Sequence, residues 1–367
     1  MFKIKKQLSK LYLSSVLGNL SLTGAWVAIL AARGYSLVEI GIAETVFHIT
    51  SLIFEIPSGI LADVFGRKKM LIVSSIMRIV GNIVMILSND LFMVCFSIAF
   101  HALSYNFSSG TDEALAYDSL KIAKMESGFD KYCSNQLIIY RLCSGISTLC
   151  AGYALFLGHK LAYGTDLVTG AVQILILCSL REVYAGNESA EKRHRSFAEV
   201  GRELIACLKE SLSFLKEARK AIGLMMCNSL VGAVDILLLF FLQAKLQAKL
   251  PEQWFGFALL FMEMGGIVGS KLILNFPKLK YGSVFVITML IVFAGVLAEH
   301  SSMWQVMTLG GFLAAVGDDA IQVRTNTLLQ DMFPSEQRAT LTSAESFSFS
   351  VIMIILSPLA GFAFTYW

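Results

Sequence analysis

The sequence predicts an all-α membrane protein made of two helical bundles, with six membrane spans in the first and five in the second. Hydrophobic residues make up 56% of the 367 residues and charged residues only 16%, whereas soluble domains carry about 45–50% and about 25%. Apolar segments of about 20 residues, the length that crosses a bilayer, recur along the chain. Each should be helical, because hydrocarbon offers unpaired backbone groups no hydrogen-bond partner.

Eleven such segments follow one another in the chain. They lie at residues 11–32, 36–61, 70–88, 91–117, 136–157, 165–180, 221–243, 253–275, 281–298, 303–329 and 339–366. A long polar stretch, 181–220, separates the sixth segment from the seventh. The predicted organisation is therefore an N-terminal six-helix bundle over 1–180, a cytoplasmic linker over 181–220, and a C-terminal bundle over 221–367.

The linker has its own helical pattern. Apolar residues recur there at helical spacing from Phe197 to Leu215, and charged residues occupy the opposite face. This pattern is typical of an amphipathic helix, which would lie either on the membrane surface or on the neighbouring loops. The basic run around His194 is interpreted as solvated.

Lysine and arginine are concentrated in the loops on one side of the predicted spans. They cluster at the N-terminus, after the second span and in the linker, while the opposite loops hold Arg33, Lys160, Lys245 and Lys249. Cytoplasmic loops carry the excess of positive residues. The distribution therefore predicts a multi-pass protein of the cell membrane with a cytoplasmic N-terminus.

Several classes of protein are disfavoured by the sequence. It contains no phosphate-binding loop and no HExxH motif, and its seven cysteines include no CxxC pair or metal-ligand spacing. The net charge of +3 is small. We therefore expect no enzyme, cofactor, metal site or nucleic-acid partner. The expected partners of a monomeric chain are the lipid bilayer, a small-molecule substrate and protons.

The loop after the second span has an unusual charge pattern for so apolar a chain. The stretch SGILADVFGRKK, residues 58–69, contains Gly59, Asp63, Gly66, Arg67, Lys68 and Lys69. This pattern and its position resemble the signature loop of the major facilitator superfamily, and six spans, a linker and a second bundle also resemble that family. The stretch SSGTDEALAYDSLK, residues 108–121, together with FEIPSGILAD, is similar to a bacterial branch of drug and small-molecule exporters.

A latch role is predicted for this loop. Gly59 would let two helices approach closely and Gly66 would allow a sharp reversal. Arg67 would pair with Asp118 at the inner end of the fourth span. The resemblance implies that Asp63 faces the N-terminal end of the eleventh span, so that the two bundles are held closed inside. The alternative is a simple topology anchor that touches anionic lipid headgroups, which is the favoured interpretation for Lys68 and Lys69.

Charged residues inside the first bundle form a predicted inner charge cluster. Its members are Glu55, Arg78, Asp112, Glu113 and Arg141, which helical rise places at a similar depth. Ionisable residues in membrane spans are costly and are candidates for function. The favoured role is structural or gating, and direct contact with substrate is the alternative.

The second bundle carries the candidate substrate or proton sites. These are Asp235, Asp318, Asp319, Arg324, Glu263 and Glu345. The three aspartates lie near the middle of their spans, where transporter sites occur, and Arg324 would neutralise one acid of the Asp318–Asp319 pair. An excess of carboxylates suits protons or a cationic substrate, and burial with polar partners is the alternative. Glu299 is expected near the outer surface, outside this site.

The predicted function is that of a secondary carrier working by alternating access. It would export a small amphipathic or cationic molecule, with proton antiport as the coupling. Two departures weaken antiport: the fourth span has no arginine in its outer half, and the fifth has no Gly-Pro pair. The alternatives are an uptake carrier for a nutrient or siderophore-like solute, and a non-transporting sensor or degenerate remnant.

The length of the second bundle generates a further expectation. Its five spans leave it about one span shorter than the first bundle, and the resemblance implies twelve spans in all. The sequence therefore predicts a truncated or incompletely represented carrier that lacks the twelfth span.

The predicted topology is tested with single introduced cysteines. Ala190→Cys in the linker should react with a membrane-impermeant maleimide from the inside, and Gln247→Cys from the outside, because the positive loops define the inner face. Labelling of both positions from the same side would contradict the assignment of the spans.

Overall fold

The computed structural model describes residues 4–183, 202, 219–332 and 338–366, and leaves out a few helix side chains, among them that of Asp63. The helices are α1 (Ile4–Asn19), α2 (Trp26–Ala32), α3 (Leu37–Phe65), α4 (Arg67–Leu87), α5 (Leu91–Ser108), α6 (Thr111–Ile122), α7 (Phe129–Leu149), α8 (Ala151–Leu157), α9 (His159–Cys178), α10 (Arg219–Gln247), α11 (Glu252–Leu272), α12 (Tyr281–Glu299), α13 (Trp304–Met332) and α14 (Arg338–Tyr366). Short 3-10 turns lie at Leu22–Ala25, Glu126–Gly128 and Ile273–Asn275. The predicted linker helix and the basic run around His194 lie outside the described residues.

The count of membrane spans agrees with the sequence. Ten helical stretches in the described chain are long and apolar enough to cross a membrane, and the bent pair of α7 and α8 makes up to eleven. Six of these precede the linker and five follow it, and the described residues contain no strand. The prediction of an all-α membrane protein with six and five spans is confirmed.

Three spans of the first bundle are each built from two helices. The first span is interrupted between α1 and α2, and the fifth bends by 48° between α7 and α8. The fourth span changes from α5 to α6 at Gly110, whose φ of +69° is favourable for glycine and strained for other residues. Breaks of this kind expose backbone groups that a membrane protein must satisfy internally.

The described contacts divide the chain into two compact units. Unit 1 comprises Met1–Gly24, Val46–Ser147 and Leu157–Cys207, and unit 2 comprises Ala25–Thr45, Thr148–Phe156 and Leu208–Trp367. Unit 2 thus contains α2, the beginning of α3 and α8 in addition to the helices after the linker. The chain passes from one unit to the other near the breaks in the first and fifth spans, and also within α3 and at the end of α8.

Unit 1 is held by close packing and by hydrogen bonds between helices, which drive helix association in lipid. Helix α4 packs on α5 and α9, and α1 packs on α9. The Ser74 hydroxyl donates to the carbonyl of Ser104 at 2.7 Å. Ser51 and Asn106 exchange two bonds: the Ser51 hydroxyl donates to the Asn106 amide oxygen, and the Asn106 amide donates to the Ser51 carbonyl.

Unit 2 depends on glycines at its helix crossings. A Cβ added at Gly265 or Gly269 of α11 would overlap the backbone of α13. Where α8 crosses α11, a Cβ at Gly152 would overlap the Glu252 carbonyl, and a Cβ at Gly256 would overlap the Leu149 carbonyl. Small residues therefore allow the backbones of these helices to touch.

The crossing of α8 and α11 is tested by a matched pair of glycine substitutions. Gly256→Ala should lower the thermal unfolding midpoint in detergent, because the new methyl group displaces the backbone of Leu149 and overpacking costs about 1–3 kcal/mol. Gly164→Ala in α9 is the control, since nothing lies within 4 Å of an added Cβ there. Equal midpoints in the two variants would contradict the crossing.

Candidate functional site

The loop between α3 and α4 joins the second span to the third by a sharp reversal. Gly66 lies between the two helices with φ of +103°, a conformation that other residues rarely adopt. The next residue, Arg67, forms an ion pair with Asp118 of α6 and donates a second hydrogen bond to the Ala114 carbonyl at 2.6 Å. The loop is thereby fixed to α6, the C-terminal half of the fourth span.

The same loop is also attached to the end of the sixth span. The Lys68 ammonium donates to the carbonyl of Cys178 at 2.8 Å, and the Lys68 backbone N–H donates to the Glu182 carboxylate at 3.1 Å. A cation is favoured at the C-terminal end of a helix such as α9. Lys68, expected to touch lipid headgroups, thus has protein partners.

The predicted latch also includes Asp63 and Gly59. The side chain of Asp63 lies outside the described residues, so its contact with the eleventh span stays a prediction. A Cβ added at Gly59 would meet no described atom within 4 Å. The close helix approach expected at Gly59 is therefore absent from the described part of the chain.

A polar cavity of about 520 Å³ lies inside unit 1. It is lined by Leu11, Ser14, Ser15, Gly18, Asn19, Leu71, Ser74, Ser75, Arg78, His101, Ser104, Tyr105, Ser108, Ser109, Gly110, Asp112, Glu113, Tyr140 and Gln173. Hydroxyl, amide and charged groups predominate, and only two of these residues have aliphatic side chains. Three members of the predicted inner charge cluster, Arg78, Asp112 and Glu113, share this cavity, whereas Glu55 and Arg141 are not in its lining.

The guanidinium of Arg78 is engaged by neutral oxygens. It donates to the carbonyl of Gly18 at 2.9 Å, to that of Leu17 at 3.3 Å, and to the amide oxygen of Gln173 at 2.7 Å. The carbonyls belong to the end of α1, so the cation stabilises a helix C-terminus. Glu55, another member of the predicted inner charge cluster, is not among these partners.

The two carboxylates of the cavity differ in their hydrogen bonds. Asp112 accepts a hydrogen bond from the Gln136 amide at 3.1 Å, and its carboxylate also interacts with the backbone N–H groups of Asp112 and Glu113 at the start of α6. The Glu113 carboxylate is exposed and makes no hydrogen bond with a described residue. The rings of Tyr105 and Tyr140 are each at least half exposed in the same cavity. Two acids therefore face a cavity in which the single guanidinium already has acceptors.

In unit 2 the predicted aspartates occupy the middle of α10 and α13. Asp318 is 9% exposed, and its Oδ1 has no hydrogen-bond partner in the described chain. It lies against Gly232 of α10, and Asp235 on that helix is close enough to interact electrostatically with Asp318 and Asp319. The Asp319 carboxylate lies over Gly266 of α11. The adjacent aspartates thus face different helices.

The remaining candidates of the second bundle have neutral polar partners. Arg324 donates to the carbonyls of Phe276 at 2.6 Å and Pro277 at 3.3 Å, in the chain after α11. Glu263 accepts from the Thr148 hydroxyl at 2.8 Å, and Glu345 accepts from the Asn228 amide at 2.8 Å. Arg324 thus binds carbonyls, as Arg78 does.

The structure adds information on two further acids. Glu299 is the last residue of α12, at the end of its span as expected, but it is only 2% exposed, and neither carboxylate oxygen has a hydrogen-bond partner among the described residues. Asp166 is not among the sequence-predicted site residues, because it lies at the edge of the apolar segment 165–180. Helix α9 begins at His159, so that Asp166 lies seven residues inside it and is 5% exposed.

Comparison with known proteins defines the class. The sequence matches the Major Facilitator Superfamily over residues 11–298. The chain therefore belongs to the major facilitator superfamily, and both the family and the structural neighbours indicate a transporter.

Solved transporters share this fold. The nucleoside transporter NupG is similar with a TM-score of 0.69 at 15% identity, over 98% of this chain and 90% of that chain. A D-xylose-proton symporter is similar with a TM-score of 0.69 at 11% identity, over 97% and 89%. A bacterial homologue of the human lysosomal transporter Spinster, inward-facing and unoccupied, gives 0.67 at 13%, over 97% and 80%. At these identities the likeness shows the fold.

A relative is also found by sequence. An uncharacterised transporter of Buchnera aphidicola subsp. Schizaphis graminum (strain Sg) is 36% identical over 53 residues, a match that spans 14% of each protein. So short a match adds nothing on substrate.

The ion pair at the loop is tested by a double-mutant cycle. Arg67→Ala and Asp118→Ala should each lower the thermal unfolding midpoint, and the double variant should lose less than their sum, because a charge-assisted hydrogen bond contributes about 1.5–3 kcal/mol. Lys69→Ala, at an exposed position of the same loop, is the control. Strictly additive losses would contradict a direct interaction.

Proposed function

We propose that this transporter is a proton-coupled carrier for a small, hydrophilic, positively charged solute. The polar cavity of unit 1, which is lined by the carboxylates of Asp112 and Glu113, is the observation that carries the proposal. Its volume lies within the range of about 300–1,000 Å³ that is usual for ligand sites.

The lining of the cavity supports a hydrophilic solute. Serine hydroxyls and the amides of Asn19 and Gln173 form much of its wall, while the aliphatic contribution comes from Leu11 and Leu71. A lipophilic drug would meet few apolar side chains in such a wall, whereas pockets for drug-like ligands are lined mainly by hydrophobic and aromatic groups. The amphipathic substrate considered from the sequence is therefore less well supported.

The charges of the cavity support a cation. Asp112 and Glu113 supply two carboxylates against one guanidinium, that of Arg78, whose terminal nitrogens donate to the end of α1 and to Gln173. The exposed faces of Tyr105 and Tyr140 add a cation–π attraction for an ammonium group. Together these groups suit a compact amine.

The proton site is assigned to Asp235 and Asp318 in unit 2. They lie on facing helices, and the environment of Asp318 leaves one of its oxygens without a partner in the described chain. Two carboxylates held close together in a span are costly when both are ionised. Binding of one proton relieves this cost, which is the property required of a coupling site.

Contacts within unit 2 support alternating access. The rings of Trp26 and Phe240 meet edge to face with centroids 5.7 Å apart. A Cβ at Gly361 of α14 would overlap the carbonyl of Leu37, and the glycine contacts at α8 add a second crossing. The ends of the first, second and fifth spans that are predicted to face outward thus pack with helices of the second bundle. Alternating access requires that packed helices close the transport pathway at one side of the membrane at a time.

Uptake is a second candidate for the direction of transport. The local resemblance to exporters favours antiport, whereas the hydrophilic cavity suits a nutrient taken up by symport. A symporter for D-xylose has the same fold. Purified protein in liposomes that enclose a pH-sensitive dye distinguishes the two, because an added solute draws protons inward by symport and drives them outward by antiport.

The solute class is tested in the same liposomes. Choline, agmatine and spermidine represent cations, and xylose and uridine represent neutral polar solutes. We expect proton movement with a cation, abolished by Glu113→Gln and unchanged by Glu126→Gln, whose exposed side chain lies outside the cavity. Movement with neutral solutes alone would contradict the cation, and no movement with any of them would favour a non-transporting sensor or remnant.

Coupling is tested by neutralising the aspartates of unit 2. Asp235→Asn and Asp318→Asn should reduce transport driven by a pH gradient at least about tenfold, equivalent to about 1.4 kcal/mol, while solute exchange at equal pH persists. Asp90→Asn is the matched control, because Asp90 caps α5 through the Met93 N–H and asparagine caps equally well. Unchanged gradient-driven transport in both variants would exclude this proton site.

A further inference from the structure

The first membrane span is broken in the middle, and the break must be satisfied by the protein. Helix α1 ends at Asn19, a 3-10 turn covers Leu22–Ala25, and α2 begins at Trp26. The last carbonyls of a helix and the first N–H groups of the next turn have no partners within the helix. Inside a membrane these groups need acceptors and donors from neighbouring spans.

Opposite charges satisfy the two sides of this break. On the α1 side, Arg78 donates to the carbonyls of Leu17 and Gly18. On the other side, Asp166 accepts from the Leu22 N–H at 3.2 Å. Its second carboxylate oxygen accepts from the hydroxyls of Ser21 and Thr23, both at 2.6 Å. The mechanism proposed above uses none of the Asp166 contacts.

The two charged residues come from different spans but act on the same one. Arg78 lies on α4 and Asp166 on α9, close enough for electrostatic attraction. Gln173, seven residues beyond Asp166 on α9, accepts from Arg78 and donates to the Ser14 carbonyl of α1 at 2.9 Å. Side chains of α4 and α9 therefore bind the first span on both sides of its break, at the end of α1 and at the start of the 3-10 turn.

The break in the fifth span joins the same network. The Ser21 N–H donates to the Ser147 hydroxyl at 3.0 Å. Ser147 lies just before the 48° bend between α7 and α8. Two of the points at which the chain passes between the compact units, after Gly24 and after Ser147, lie at these breaks. One hydrogen-bonded cluster thus holds both points.

We propose that Asp166 is the positioning residue of a hinge in the first span. Its carboxylate binds Ser21, Leu22 and Thr23, where the α-helix is interrupted and a 3-10 turn begins, while the adjacent Gly18 and Asn19 form part of the cavity wall. Motion of the distal parts of the first and fifth spans is accommodated at this point. The assignment goes beyond the proposed solute and requires only that the chain moves as carriers of its family do.

Hydrogen exchange of the full chain in lipid nanodiscs, without substrate, tests the local role. Asp166→Ala should speed exchange in the peptide covering residues 19–25 at least about tenfold, because the Leu22 N–H loses its acceptor beside a water-accessible cavity. Asp166→Asn should give an intermediate rate, since its amide oxygen still accepts one bond. Thr165→Ala, whose hydroxyl bonds within its own helix, is the control. Unchanged or slower exchange in Asp166→Ala would overturn the proposal.

A second readout separates a hinge from a purely structural contact. A cysteine placed at Ser109, which lines the cavity, is labelled with an impermeant maleimide and followed by mass spectrometry. In Asp166→Asn the labelling rate should change at least about threefold, reflecting a shift between conformations, while the thermal midpoint stays within about 2 °C. A lower midpoint with an unchanged labelling rate would overturn the hinge. Neither readout depends on the proposed solute, so a failure of that proposal is seen separately in the liposome assay.

Discussion

Every backbone polar group in a membrane span must find its partner inside the protein, and much of this structure follows from that constraint. It explains why the spans of the described chain are built from helices and why their breaks are hydrogen-bonded within the protein. It also explains the placement of two arginines that the sequence suggested for other roles. Arg78 donates to carbonyls at the end of α1, and Arg324 donates to carbonyls after α11. In both cases a cation satisfies backbone oxygens where a helix stops.

This use of the arginines leaves the membrane carboxylates with a different chemistry. Asp112 and Glu113 line a cavity whose single guanidinium donates to neutral oxygens, and Asp235 and Asp318 interact electrostatically in the second bundle. An acid whose charge is not cancelled can accept a proton or attract a cation, which is the chemistry expected of a coupled carrier. Asp166 is an exception, because backbone and hydroxyl donors satisfy it fully at the break of the first span.

Close backbone contact is the second structural requirement. Lipid is as apolar as leucine, so helices in a bilayer gain little from hydrophobic burial and depend on tight packing. The glycines of α11 and the pair Gly152 and Gly256 supply such contacts in unit 2. The same surfaces must separate if the carrier opens to the other side, and glycine crossings bring backbones together without interlocking long side chains.

The sequence by itself determined the helical class, the six and five spans and the family, because hydrophobic length and the Gly66–Arg67 loop are local properties. It also suggested Asp118 as the partner of Arg67, since both lie at the inner ends of their spans. Only the tertiary structure decided the partners of Arg78 and Arg324, the burial of Glu299 and the role of Asp166. A helix break and the charge that satisfies it lie more than a hundred residues apart, as Ser21 and Asp166 do, and hydropathy along one span carries no information about which neighbour supplies its hydrogen bonds.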